Sequence, residues 1–321
     1  MLPLLSGLAL TLPAALALAV GPSASPGTPV LHFRDPAIVE ASDLVVQDGL
    51  YLTTNDSGDT GRVFAVDSSG ATVGVTRWSR DPVDTEALAP GGDGTVWVGD
   101  IGDNLARRPY VVLARVPVGP GDRTVHPTTY RLRYPDGAVD AETLMRDLET
   151  GRLYIATKGV FGGVLYAVPS RLRASGVNRL KPVGRVLPVA TDGAFFPDGR
   201  HLVVRSYTTA VVYDWPSMQP IGSVALPQQR QGEGIAVAAD GRVYVSSEGA
   251  DSRVLQVRLP RRVEARVSPP SESAGPTTGA RPSSAASPEE ASRPLWPWLA
   301  GGLLGLAALA VLLRSLRPPS R

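Results

Sequence analysis

Five times along this chain an acidic residue opens a short apolar segment, and a tight turn and a second apolar strand follow. The five lines begin DLVVQDGLYL at Asp43, EALAPGGDGTVWVGD at Glu86, ETLMRDLETGRLYIATK at Glu142, DGAFFPDGRHLVVRS at Asp192 and EGIAVAADGRVYVSSE at Glu233. The steps between the acids are 43, 56, 50 and 41 residues, the length of a propeller blade of four short strands. A repeat of this period cannot bury its apolar faces alone, so the units must stack on one another.

Each unit carries a turn signal between its first two strands. Asp48-Gly49, Asp93-Gly94, Asp198-Gly199 and Asp240-Gly241 suit backbone at positive φ, and Thr150-Gly151 fills the same slot in the third unit. Third strands read RVFAVD, YVVLARVP, VLYAVP, AVVYDWP and RVLQVRLP. Four of them end at Pro117, Pro169, Pro216 or Pro260, where a missing N–H stops the ladder. Fourth strands are expected in ATVGVTRWS, TVHPTTYRLRY, the Leu180–Leu187 region and IGSVALP. The fifth unit has none of its own after Pro260, and VLHFRDP near Leu31–Arg34 is expected to supply it. The expected fold is an all-β propeller of five four-stranded blades over residues 29–262, closed by the N-terminal strand. Six blades is the alternative.

The ends of the chain read differently. Residues 1–25 are mostly apolar, with Ala17-Leu18-Ala19 as a small-x-small cleavage site, and are expected to be a signal peptide. Residues 263–294 are rich in Pro, Ser, Ala and Thr and too poor in large apolar groups to form a core, so a flexible stalk is expected. Leu295 to Leu313 is an uncharged run of 19 residues, long enough for one transmembrane helix. Trp296 and Trp298 stand at one end, and a basic tail, 314–321, carries Arg314, Arg317 and Arg321 beyond the other. The positive-inside rule then places the N-terminal head outside the cytoplasm, on the cell surface.

Composition removes several function classes. No cysteine is present, so thiolate catalysis and disulfides are excluded, and three histidines (His32, His126, His201) speak against a His-based metal cage. A net charge of +2 without a basic stripe gives no nucleic-acid footprint. There is no G-x-S-x-G elbow, P-loop or HExxH motif.

The candidate site is one mouth of the channel. Propeller topology sets the first residues of the inner strands beside the turns between second and third strands, so Asp43, Glu86, Glu142, Asp192 and Glu233 are expected to ring that mouth. Asp56, Asp100, Lys158, Arg205 and Glu248 then stand in an outer ring. Blades five, one and two contribute acids there, including Asp103, while blades three and four contribute Lys158 and Arg205. Converging carboxylates need compensation: a bound cation, basic partners or backbone N–H groups. Hard oxygen donors without His or Cys suit Ca²⁺. Asp43, Asp56, Glu86, Asp100, Asp103, Glu233 and Glu248 are the expected metal ligands; Lys158, Arg205, Glu142 and Asp192 are the expected ligand-binding groups. The alternative is architectural, each inner acid bonding backbone amides of the next blade.

The phrases NDSGD, RVFAVD, DTEALA and GEGIAV resemble secreted bacterial propellers of the NHL-like and phytase-like kinds, nearest the "esterase-like activity of phytase" group, over about Ala41 to Pro260. The resemblance implies calcium held by acids at the channel mouth, with Asp56, Asp100, Glu86 and Glu233 in that role and Lys158 and Arg205 gripping phosphate. Two functions follow as expectations: a monomeric binding head for an extracytoplasmic ligand or protein, or a calcium-dependent hydrolase of an anionic ester.

Overall fold

A computed structural model describes residues 27–56, 58–79 and 81–267. The expected signal peptide, the remainder of the stalk, the transmembrane helix and the basic tail lie outside the described residues. Among the described residues, no helix is long and apolar enough to cross a membrane.

The chain opens with β1 (Thr28–His32). Blade one follows as β2 (Val45–Gln47), β3 (Leu50–Thr53), β4 (Arg62–Val66) and β5 (Thr72–Trp78). Then come β6 (Thr85–Gly92), β7 (Thr95–Asp100), β8 (Val111–Pro117), a short β9 (Arg123–Val125) and β10 (Thr129–Arg133). The third unit holds β11 (Ala141–Arg146), β12 (Leu153–Thr157), β13 (Gly163–Ala167), a short β14 (Val177–Arg179) and β15 (Lys181–Val186). Blade four is β16 (Asp192–Phe195), β17 (His201–Arg205), β18 (Thr209–Asp214) and β19 (Pro220–Ala225). The last strands are β20 (Ile235–Val237), β21 (Val243–Val245) and β22 (Arg253–Val257), ahead of one helix, α1 (Arg261–Val267).

Five sheets result, and β1 pairs antiparallel with β22 to complete the fifth. The five-bladed expectation and the N-terminal closure both stand. Two strands were not foreseen. β9 joins the outer edge of blade one in parallel, beside β5, although it lies between β8 and β10 in sequence. β14 likewise joins β10 from within the third unit. Each is a three-residue segment in a connection, too short to carry an alternation signal.

The packing explains why the ring closes. Five buried apolar clusters fill the five spaces between neighbouring blades. Between blades five and one, Leu31, Phe33, Tyr51, Phe64 and Tyr244 meet in one cluster, with Tyr51 and Tyr244 edge to face at 5.8 Å. Asp48 and Gly49, like Asp93 and Gly94, all take positive φ, as the hairpin reading of those dipeptides requires.

The head extends further than expected. Val263 and Val267, four residues apart on one face of α1, are 0% and 3% exposed and pack on blades four and five. Residues 263–267 therefore belong to the head rather than to the stalk. Arg266 donates to Asp214 at the end of β18, so α1 sits at the end of the strands remote from the inner acids.

Candidate functional site

Antiparallel pairing sets Ala141 of β11 against Thr157 of β12, and Asp192 of β16 against Arg205 of β17. Inner-strand starts and second-to-third turns thus share one end of each blade, as expected. At that end Asp43, Glu86, Glu142, Asp192 and Glu233 are all buried, between 0% and 5% exposed.

Two of the five are scaffold. Asp192 accepts from the amides of Gly193, Ile235 of blade five and Leu44 of blade one, at 2.7, 2.7 and 3.4 Å. One carboxylate thereby pins three chain segments across the axis. Asp43 accepts from the amide and hydroxyl of Thr54 at 3.0 and 2.6 Å. Asp43 was expected as a metal ligand and Asp192 as a ligand-binding group; their oxygens are instead engaged in holding backbone.

Arg205 requires the same correction. It is 0% exposed and donates to the carbonyls of Ser206, Gly234, Ser246 and Tyr207 at 2.8–3.2 Å. Burial lowers its pKa to about 10, against the pull of Glu233 and Asp192. It remains a cation at neutral pH, facing inward as a rivet between blades four and five. A guanidinium can saturate several carbonyls at once, which is why an Arg can be buried there.

The outer acids of blade two are also held. Asp100 pairs with Arg108 at 2.8 Å and accepts from the Asp84 amide at 2.9 Å. Asp103 caps the amides of Arg107 and Arg108 at 2.9 and 2.8 Å. Neither was correctly anticipated as a metal ligand, because both shape the loop instead. Glu248 accepts from the Gln231 side-chain amide at 2.6 Å.

Lys158 neutralises the third-blade side. It bonds Glu142, and its ammonium lies 5.2 Å from the Tyr207 ring centroid. Burial works to lower the Lys158 pKa, but Glu142 outweighs it and holds the group cationic. The same charge opposes the rise of the Glu233 and Glu248 carboxyl pKa values. The expected basic side exists, but its cations are committed, Lys158 to Glu142 and Arg205 to backbone carbonyls.

A group of acids also converges between blades one and two. Carboxylate oxygens of Asp56, Asp84 and Glu86 fall within 4.8 Å of one another. Burial, reinforced by Asp56, pushes the carboxyls of both Asp84 and Glu86 up. Glu142 adds repulsion on Glu86, and Asp140 on Asp84, with Arg108 a small opposing charge on Asp84. The Ser42 hydroxyl donates to Glu86 at 3.0 Å.

Two further observations fit a cation there. Asp84, 9% exposed, has one buried oxygen with no hydrogen-bond partner among the described residues. Gly102 closes against the cluster so tightly that a Cβ would meet Asp84 Oδ2 at 2.4 Å and Glu86 Cγ at 2.7 Å. Three carboxylates offer up to six hard oxygens, the donor set of Ca²⁺ rather than of zinc or copper. The structure therefore brings Asp56 and Glu86 together, as expected, and adds Asp84.

Asp84 had a sequence signal that was overlooked. It stands two residues before Glu86, as Asp140 does before Glu142, and an i, i+2 pair can share a face of a strand. A β-bulge contributes as well. Pairing skips from Thr85–Asp100 to Ala87–Gly99, and from Ala141–Thr157 to Thr143–Ala156. Glu86 and Glu142 are thus the extra residues in their strands, where a bulge re-aims side chains.

The buried acids set a pH dependence. Burial raises Asp43 and Glu233 from 3.8 and 4.5 to about 7 each. The folded form then binds protons that the unfolded chain has released. This stabilisation is complete below the ordinary carboxylate range and is lost as pH rises through about 7. Calorimetry in a chelator is expected to show the melting temperature falling between about pH 4 and 8. A melting temperature that climbs across that window would contradict the assignment.

No protein-family model matches this chain, and no curated protein does. Among solved structures it is similar to a glutaminyl cyclase from Myxococcus xanthus, at 13% identity and TM-score 0.48, over 72% of this chain and 97% of that one. It is also similar to a glucose dehydrogenase at 11% identity and TM-score 0.45, over 73% of this chain and 100% of the other. Likeness at this level transfers no residue roles.

Proposed function

We propose that this chain is a non-catalytic binding head: a monomeric propeller, anchored by Leu295–Leu313 at the cell surface, whose channel mouth takes Ca²⁺ on Asp56, Asp84 and Glu86 and docks an extracytoplasmic ligand or protein above it. The observation that carries the reading is the charge distribution. Acids on the third- to fifth-blade side have Lys158 and Arg205 beside them, whereas carboxylate oxygens of Asp56, Asp84 and Glu86 converge within 4.8 Å of one another, and burial and mutual repulsion push Asp84 and Glu86 up.

The surface around that cluster supports docking. Among the described residues, seven large hydrophobic side chains are exposed, and five of them lie in connections at the mouth end. They are Val39, Val83, Leu105, Val160 and Phe161, the last 95% exposed. Apolar tips around a charged centre are what a recognition surface presents. Helix α1, where the described head ends, is at the opposite end of the strands from the mouth.

A phytase-like hydrolase, the other function the resemblance implies, calls for cations aimed at a metal-held phosphate. Lys158 and Arg205 would be those cations, and they are bound to Glu142 and to backbone carbonyls. The binding reading accounts for both.

Thermal unfolding of the full-length protein with Ca²⁺ or EDTA tests it. At a hundredfold excess over Kd a bound ion adds about 2.7 kcal/mol, or about 5–10 °C for a head of this size. Asp84→Asn and Glu86→Gln are expected to remove most of that shift while still folding in EDTA. Equal melting with and without millimolar Ca²⁺, Mg²⁺ or Mn²⁺ would sink the cation reading.

A further inference from the structure

A second place on the molecule has the form of a binding site and uses none of the three converging carboxylates Asp56, Asp84 and Glu86. Blade two presents two rungs of its sheet toward blade one. Thr85, Asp100 and Val112 form the first rung; Val98, Ala114 and Thr129 form the second. Their side chains are small or drawn aside, since Asp100 is held by Arg108. Blade one does not fill the space above them, and a cavity of about 460 Å³ remains.

Two aromatic side chains line it, Trp78 at the end of β5 in blade one and Tyr110 ahead of β8 in blade two. The Arg131 guanidinium lies 5.4 Å from the Tyr110 ring centroid. β9 explains why the cavity has a rim. Because that strand crosses to blade one and the chain must return to β10, His126 and Pro127 pass over the opening. His126 is fastened to Ser79 at 3.1 Å.

The polar groups inside are informative. Asp100 and Arg108 neutralise each other at 2.8 Å, with side chains 15% and 12% exposed, so the inner end presents no net charge, and the remaining acid of the lining, Asp81, is solvent-exposed. Thr85 is 3% exposed and its hydroxyl has no hydrogen-bond partner among the described residues. A buried hydroxyl that is not bonded is costly, and a rotation of the Thr85 side chain that turns it into the cavity lets a ligand satisfy it.

We propose that this cavity is a binding site for an uncharged, flat aromatic small molecule carrying one hydrogen-bonding substituent, its rings between Trp78 and Tyr110 and its polar group on Thr85 Oγ1. The volume is that of a small-molecule pocket, and the mixture of apolar wall with few polar groups is characteristic of such sites. The site is distinct from the cation cluster, although Asp100 and Val83 belong to both the cavity lining and the mouth. Thr85 separates Asp84 from Glu86 in sequence, yet it lines the cavity while they converge on the cation cluster.

The probe is 2-naphthol, two fused rings with one hydroxyl, titrated calorimetrically into full-length protein in EDTA and again in Ca²⁺. One saturable site is expected in both buffers. Ala114→Phe, which fills the floor, and Thr129→Tyr, which narrows the outer edge, are each expected to weaken binding at least tenfold. Thr85→Val is expected to weaken it about fivefold, the value of one neutral hydrogen bond. Melting curves identify any variant that fails to fold, and Thr129→Tyr, on a half-buried position, keeps the test open if Ala114→Phe does so. No saturable binding, or binding indifferent to both filling variants, overturns the proposal. Neither result bears on the cation site, which is read out separately by melting.

Discussion

Arg205→Met is expected to destabilise the head by about 3–5 kcal/mol, the cost of breaking a buried charge network from one side. The substitution keeps a long apolar stem but leaves the carbonyls of Gly234 and Ser246 without the guanidinium that joins them to blade four. It also removes a cation that offsets the charges of Glu233 and Asp192. Arg205→Lys is expected to recover only part of the loss, because an ammonium cannot span four carbonyls in a fixed fork. Chemical denaturation followed by tryptophan fluorescence measures this. A variant with wild-type stability would show that Arg205 is not a rivet and would return it to consideration as a ligand group.

Removing residues 27–33 is expected to have the larger effect. These residues carry β1, and without it β22 becomes an open edge on blade five. Leu31 and Phe33, 4% and 1% exposed, leave the cluster between blades five and one. Losing two such side chains costs about 3–6 kcal/mol, before the exposed edge and the cavity are counted. Since a domain has only about 5–15 kcal/mol in hand, the truncated chain is expected to aggregate or to melt without a sharp transition. A β1 segment appended after Pro260 through a short turn should restore the pairing, because β1 and β22 are antiparallel. A truncated protein that melts as sharply as the intact one would mean that closure contributes little.

The repeat was legible because it rests on local chemistry. Alternating apolar residues, Asp-Gly turns at positive φ and strand-ending prolines each act within a few residues. Blade number, the closing strand and the shared end of the inner acids all follow from these. β9 and β14 were not legible, since what stabilises them is an edge contributed by another blade. The helical face of Val263 and Val267 was missed in a region whose composition resembled the stalk.

The candidate site divides along the same line. That acids would gather at one mouth could be read from Asp43, Glu86, Glu142, Asp192 and Glu233. Which of them still have oxygens to offer could not, because that depends on amides and cations brought in from other blades. Leu44 and Ile235 reach Asp192 across the channel, 148 and 43 residues away, and Lys158 reaches Glu142 across a hairpin. Side-chain periodicity is a property of one strand, so sequence alone determined the kind of residue at the mouth and its spacing. Burial and partnership are properties of the closed ring. Only the tertiary structure decided that Arg205, Asp43 and Asp192 are scaffold, and that Asp56, Asp84 and Glu86 are the acids left facing one another.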